Sequence, residues 1–130
     1  MSDSHSISVD VIKDASPHAI VYRIHGIFGE TSESYRFLDH LREEMKSAEY
    51  AERERVIFNL EDIEFLSSVG VGILASCYTT AKKANKSFVL AGVNEQASRV
   101  LDITGMSGLV PCYVSETEAL DPEGKPIELS

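Results

Sequence analysis

The chain has 130 residues, the size of one ordinary domain, and 43% of them are hydrophobic, as in folded globular proteins. Its formal net charge of −9 excludes a non-specific nucleic-acid binder and adhesion to anionic membrane surfaces, both of which need a face dominated by Lys and Arg. That balance favours a partner of basic or mixed charge. No apolar run reaches the length of about 18 residues that a membrane-spanning helix needs. Met1 to Ser6 has neither the basic nor the apolar part of a signal peptide, so a cytoplasmic location is expected. Cys77 and Cys112 are far apart without a CxxC pattern, and read as reduced core thiols rather than a bridge or a metal pair.

Residues 1–6 are small and polar, and are expected to be a flexible tail. Ile7 to Ile12 alternates apolar and polar residues like a half-exposed strand. Asp14 to His18 makes a turn, and Ala19 to His25 returns as the second arm of a hairpin. Gly26-Ile27-Phe28-Gly29 then closes that strand as an apolar loop between two glycines. From Thr31 to Tyr50 the spacing is helical, with Tyr35, Leu38, Leu41, Met45 and Ala48 predicted to face inward. Glu30 and Glu33 near its start suit the positive end of the helix dipole.

Val56 to Leu60 is a short apolar run, the mark of a central strand covered on both faces. A second long helix is predicted from Ser68 to Ala84, closed by Lys82, Lys83 and Lys86. Ser87 to Val93 is another apolar strand. Asn94 caps a third helix, Glu95 to Ile103, that Gly105 ends. Val110 to Val114 contains Pro111 and is placed at a sheet edge. Ser115 to Glu118 has capping-box spacing and opens a short helix through Leu120. The segment 122–130 is expected to be a loose tail, which leaves a single domain over residues 7–120. The order is β-β-α-β-α-β-α-β-α, an α/β mixed sheet of about five strands and about four helices, with a hairpin at one edge and parallel strands beyond it. Binding in such sheets concentrates beyond the carboxyl ends of the strands, here the loops Gly26–Glu30, Ile63–Val69 and Val93–Glu95.

The middle loop carries Ser67 and Ser68 where a strand's exit becomes a helix's first turn. Up to four backbone N–H groups there lack helical partners and the dipole is positive, so a phosphoryl group on a serine would be held. Ser68 is the principal candidate and Ser67 the second. As a plain N-cap, Ser68 would hold the helix through one hydrogen bond, worth about 1 kcal/mol. Gly70 and Gly72 read as close packing of helix on sheet, since the Gly-Lys-Ser/Thr of a nucleotide loop is absent. Phe28 is either a lid on the core or, as its place between two glycines suggests, an exposed anchor for a partner. His25, at a strand end, could approach Ser68. No Ser–His–Asp order, GxSxG elbow or metal spacing stands out, so neither a catalytic residue, a cofactor nor a metal is expected.

Val56-Ile57-Phe58-Asn59-Leu60, Phe65-Leu66-Ser67-Ser68-Val69-Gly70-Val71-Gly72-Ile73-Leu74, Phe88 to Val93 and Val100 to Met106 together resemble the STAS domain of bacterial anti-sigma factor antagonists. The resemblance runs from about Ile7 to Leu120. It implies partner switching by a domain that is not itself an enzyme. The unphosphorylated form would bind an anti-sigma factor that is also a serine kinase of the histidine-kinase-like ATPase fold. Phosphorylation at Ser68 would break the complex, and a serine phosphatase of the 2C class would restore it. The binding surface so implied comprises Gly26, Phe28, Ser67, Ser68, Val69, Gly70, Val71 and Asn94. This sequence departs from the family pattern at Asn59 and Ser67, where aspartate is usual, and at Val69, where serine or threonine is usual. Those departures keep open a second reading, a constitutive STAS scaffold in a signalling assembly or a lipid-transport ATPase complex. A third reading, a small hydrolase using Ser68, has only the serine in its favour.

Overall fold

Side chains alternate across a strand, so Ile20, Tyr22 and Ile24 face one way and Ala19 and Val21 the other, and all five are buried. A strand apolar on both sides belongs inside a sheet covered on both faces. The computed structural model of the chain describes residues 7–29 and 31–128 and shows that arrangement. The segment 1–6 and Glu30, with the expectations attached to them, lie outside the described residues.

The strands are β1 (Ile7–Ile12), β2 (Ala19–Phe28), β3 (Arg55–Leu66), β4 (Ser87–Ala91) and β5 (Cys112–Tyr113), and the helices are α1 (Ser32–Met45), α2 (Ser68–Lys83), α3 (Glu95–Ile103) and α4 (Glu116–Leu120). Their order along the chain is the expected one. The sheet order is β1-β2-β3-β4-β5, with β1 antiparallel to β2 and every later pair parallel. The larger core lies between one face and helices α1 to α3. Its aromatic rings meet edge to face, with Phe58 4.7 Å from Phe88 and 5.5 Å from Tyr22 between centroids. A smaller cluster, Val21, Ile57, Val89, Ala91 and Tyr113, lies on the opposite face beneath Ala119 of α4.

Four expectations need correction. In α1 the buried stripe is Ser34, Phe37, Leu38, Leu41 and Met45, while Tyr35 is 50% exposed. At about 100° per residue Tyr35 falls to the side of that stripe, and Phe37 takes its place. The helix also stops at Met45, because Ser47 caps a separate 3₁₀ turn, Ala48–Tyr50, by accepting from the Glu49 N–H. Strand β3 does not end at Leu60 but continues to Leu66, pairing with β2 through two register shifts. Those irregularities let Ile63 and Leu66, three residues apart, both reach the core, a spacing that alternation does not reveal. Finally, the described part of the tail is tied down. The Ile127 N–H donates to the Cys112 carbonyl at 2.7 Å, and a Cβ on Gly124 would collide with the Glu118 carbonyl.

Helix α4 is fastened to the sheet by charge. The two guanidinium N–H groups of Arg23 grip the Glu116 carboxylate at 2.9 and 2.8 Å, and Asn59 Nδ2 donates to the same carboxylate at 2.9 Å. Asn59 is buried, and its own Oδ1 accepts from the Glu61 N–H at 2.9 Å. An aspartate at 59 would oppose a second carboxylate there, which accounts for the amide. The hydrogen bonds from Arg23 hold the Glu116 carboxyl below the ordinary carboxylate range; burial opposes this and Asn59 assists. The stability it contributes is therefore complete above about pH 4.3, the unfolded value, and is lost as the pH falls through the depressed folded value. Glu116→Gln should lower stability to urea at neutral pH by about 1 kcal/mol, and the gap from wild type should close in acid. A gap independent of pH would contradict this role.

Candidate functional site

The end of β3 and the start of α2 are separated by one residue, Ser67, and that residue has a structural task. Its backbone is extended, at φ −90° and ψ 169°, and its Oγ accepts from the Gly70 N–H at 3.0 Å. Ser67, not Ser68, is therefore the N-cap of α2, in correction of the sequence reading. The Ser67 N–H in turn donates to the Phe28 carbonyl at 3.1 Å, which joins the last residue of β2 to the turn. Beneath the same turn, a Cβ on Gly70 would lie 2.1 Å from the Phe28 oxygen, so only glycine lets α2 come this close to β2. Gly72 differs: it is exposed, and nothing lies within 4 Å of a Cβ placed there.

Ser68 is the first residue of α2 and is exposed. Ser67 occupies the Gly70 amide and the Ser67 carbonyl accepts the Val71 amide at 3.0 Å. No acceptor among the described residues takes the N–H groups of Ser68 and Val69. One hydroxyl is thus consumed in holding the helix, and its neighbour faces solvent beside two outward amides at the positive end of a 16-residue helix. The later part of β3 is acidic and exposed at Glu61, Asp62 and Glu64, and Phe65, two residues before Ser67, is 46% exposed.

The remaining predicted positions divide into surface and support. Val69 is half-buried, whereas Gly70 and Val71 are buried and can offer a partner no side chain. Phe28 is fully buried and edge-on to Phe37 at 6.4 Å, so it belongs to the core and the reading of it as an exposed anchor is corrected. The cause is that β2 runs through Phe28 rather than ending at Gly26, and alternation turns that ring inward. Gly26 is paired with Ile63 within the sheet and has φ 96°. Asn94 caps α3 as expected, accepting from the Ala97 N–H at 2.8 Å, and its Nδ2 also donates to the Ile63 carbonyl at 3.2 Å. His25 is not directed at Ser68; its Nε2 lies 3.1 Å from Asp10 and its Nδ1 3.4 Å from Asp62.

Two contributors were not foreseen. The Gln96 side chain clamps both backbone groups of Leu66, accepting from its N–H and donating to its carbonyl, each at 2.9 Å. A glutamine two residues past a helix cap was the available signal, but its target on β3 is distant in sequence. Gly29 is the second, since a Cβ there would meet Ser67 Oγ at 2.7 Å. The thiols lie elsewhere, with burial pushing Cys77 up to about 12 and Cys112 up to about 11, outside the reactive range. Among the described residues no group of three or more His, Cys, Asp or Glu side chains is placed to hold a metal, and no helix is long and apolar enough to cross a membrane.

The two serines should separate in stability measurements. Ser67→Ala removes the cap and should cost about 1 kcal/mol in urea denaturation, while Ser68→Ala should change stability little. Equal losses would mean that both hydroxyls cap the helix. The glycines should differ in sign: Gly70→Ala is expected to destabilise by about 1–3 kcal/mol through overpacking. Gly72→Ala should stabilise by about 0.5–1 kcal/mol through helix propensity, and a loss at both positions would refute the assignment.

Comparison with known proteins places this geometry. The family model described as the STAS domain matches residues 10–119. The anti-sigma F factor antagonist of Paenibacillus polymyxa is 27% identical over 67 residues, which are 52% of this chain and 57% of that protein. The chain thus matches somewhat over half the length of that relative. The crystal structure of an anti-sigma factor antagonist from Mycobacterium paratuberculosis superimposes with a TM-score of 0.74 at 22% identity, covering 92% of this chain and 96% of the other. The Bacillus cell fate determinant SpoIIAA in its phosphorylated form gives 0.60 at 17% identity, covering 88% and 97%. At these identities the structures speak for the fold, and the family model speaks for the sequence. With its hairpin-edged sheet and its serine-capped second helix, this chain belongs to the STAS domain family.

Proposed function

We propose that this domain is an anti-sigma factor antagonist of the cytoplasm, a binding module without catalysis of its own, switched by phosphorylation at Ser68. The observation that carries this reading is the division of labour between two adjacent serines, one hydroxyl spent on the cap and the next exposed on the first turn of α2. The names of related proteins support the class of partner, an anti-sigma factor, and a related fold is known in a phosphorylated form. The partner is an anti-sigma factor that is also a serine kinase of the histidine-kinase-like ATPase fold, and a phosphatase of the 2C class reverses its action. Ser67, the second candidate, is the poorer substrate because its Oγ is half-buried and already engaged by the Gly70 N–H at 3.0 Å.

The switch is local and electrostatic. The partner covers the first turn of α2 with the exposed Ser68 and the half-buried Val69, and the exposed Phe65 beside them offers an apolar contact. Phosphorylation adds about −1.5 to −2 charges, which the outward amides and the helix dipole tolerate in water. Under a partner the same dianion is desolvated, and uncompensated burial of charge costs several kcal/mol. Each ~1.4 kcal/mol is tenfold in affinity, so no refolding of the domain is needed to release the partner.

Binding of the co-purified anti-sigma factor, measured by calorimetry, tests the reading. Ser68→Ala should bind like wild type, and Ser68→Asp and Ser68→Glu should bind at least about tenfold more weakly. Equal affinity of all three would reject the switch and leave a constitutive scaffold.

A further inference from the structure

Strand β4 is shorter than the strand it lies beside. Its last pair with β3 joins Asn59 to Ala91, whereas β3 keeps pairing with β2 as far as Leu66. Beyond Asn59, therefore, the β4-facing margin of β3 meets no other strand among the described residues. Backbone groups shut away from water without partners are costly, so that margin has to be satisfied by other means. Side-chain amides take the place of the missing strand. Asn59 Oδ1 accepts from the Glu61 N–H at 2.9 Å, and Asn94 Nδ2 donates to the Ile63 carbonyl at 3.2 Å. At Leu66 the half-buried Gln96 supplies both functions, its Oε1 accepting from the N–H and its Nε2 donating to the carbonyl, each at 2.9 Å. A planar carboxamide that spends its oxygen and its nitrogen on one residue fixes both peptide planes flanking that residue.

We propose that Gln96 is the positioning residue for the Ser68 hydroxyl in phosphoryl transfer, which rests on the reading of Ser68 as the phosphorylation site. Leu66 is the last residue of β3, and the carbonyl that Gln96 holds belongs to the peptide leading into Ser67. The opposite side of the same corner is held by β2, where the Ser67 N–H reaches the Phe28 carbonyl at 3.1 Å. The corner is thus gripped from two sides, and Ser68 leaves it in a set direction on the first turn of α2. Removing the Gln96 amide releases the α3 side alone. The Phe28 contact and the Ser67 cap remain, so α2 stays folded while its first turn gains room to shift. In the transfer, Ser68 Oγ bonds to the γ-phosphorus of ATP held by the partner kinase. The bond from that phosphorus to the β,γ-bridging oxygen breaks, ADP departs, and the hydroxyl proton passes to a base of the kinase. Such a displacement needs its attacking and leaving oxygens in line, and a misplacement of about 1 Å costs on the order of 10²-fold in rate. Docking draws on a broader surface and is less sensitive to so small a shift. The loss therefore falls on kcat rather than on KM.

Phosphorylation kinetics of the full chain, with the co-purified anti-sigma factor and ATP and with the modified residue mapped by mass, test this role. Gln96→Leu approximates the size of the side chain and removes both hydrogen bonds. Its kcat should fall at least about tenfold, and its KM for the protein should change less than about twofold. Gln96→Glu keeps an acceptor for the Leu66 N–H but turns a carboxylate oxygen toward the Leu66 carbonyl, and should show the same split. It carries the test if Gln96→Leu does not fold. Ser115→Ala controls for stability alone, because it removes the cap of α4, a hydroxyl accepting from the Glu118 N–H at 3.2 Å. That helix lies on the opposite face of the sheet, so kcat and KM should stay as in wild type. Equal kcat in wild type and both Gln96 variants overturns the positioning role. So does a loss that Ser115→Ala reproduces, or one that falls wholly on KM. A wild type that takes no phosphate at Ser68 brings down the reading of the site, and the positioning role with it.

Discussion

The Phe28 carbonyl is the point at which three elements of this molecule are joined. It ends β2, accepts the N–H of Ser67 at the end of β3, and lies against the bare Cα of Gly70 in α2. Moving the helix outward by the width of a methyl group would break that fit and the cap that depends on it. The whole of the serine turn is thus set by backbone contact, which leaves little conformational freedom at Ser67. Gln96 and Asn94 tighten the same arrangement from the other side by holding the last turns of β3 to the start of α3. The exposed Ser68 is thereby mounted on the first turn of a fixed helix.

The two faces of the sheet are held by different forces. The helix side is a packed aromatic and aliphatic core in which the Tyr22 hydroxyl donates to Glu44 at 2.7 Å. The other side has a small apolar cluster, and its short helix is too brief to persist by its own hydrogen bonds. It is retained by the carboxylate of Glu116 between Arg23 and Asn59, and by Arg55, which donates to the Ala119 carbonyl at 2.9 Å. Lys86 performs a similar service at the opposite end of the sheet. It is buried with its ammonium on the Tyr50 and Arg53 carbonyls, each at 2.6 Å, and burial lowers its proton affinity.

Much of this was legible in the residues. Asn94 and Ser115 announced their helices by side-chain chemistry that acts over three residues, and the strand–helix alternation predicted the parallel sheet. What failed were inferences that depend on partners distant in sequence. Phe28 looked exposed because two glycines flank it, yet the strand opposite sets its register and turns it inward. Ile63 to Leu66 looked like part of the loop Ile63–Val69, yet it continues β3, and its broken alternation is a pairing irregularity with β2 that no single strand displays. Of two neighbouring serines the pattern marked the pair and not the member that folds back. That choice was made by the Phe28 carbonyl, 39 residues away from Ser67.

Both thiols of the molecule are sealed, one inside the second helix and the other on the shortest strand. A thiol in such surroundings is blind to alkylating reagents until its own neighbourhood opens. Labelling of Cys112 therefore keeps time with fraying of the β5 margin, whereas Cys77 answers only when the layer beneath the helices comes apart. The chain carries, without any added dye, two clocks for two depths of its own breathing.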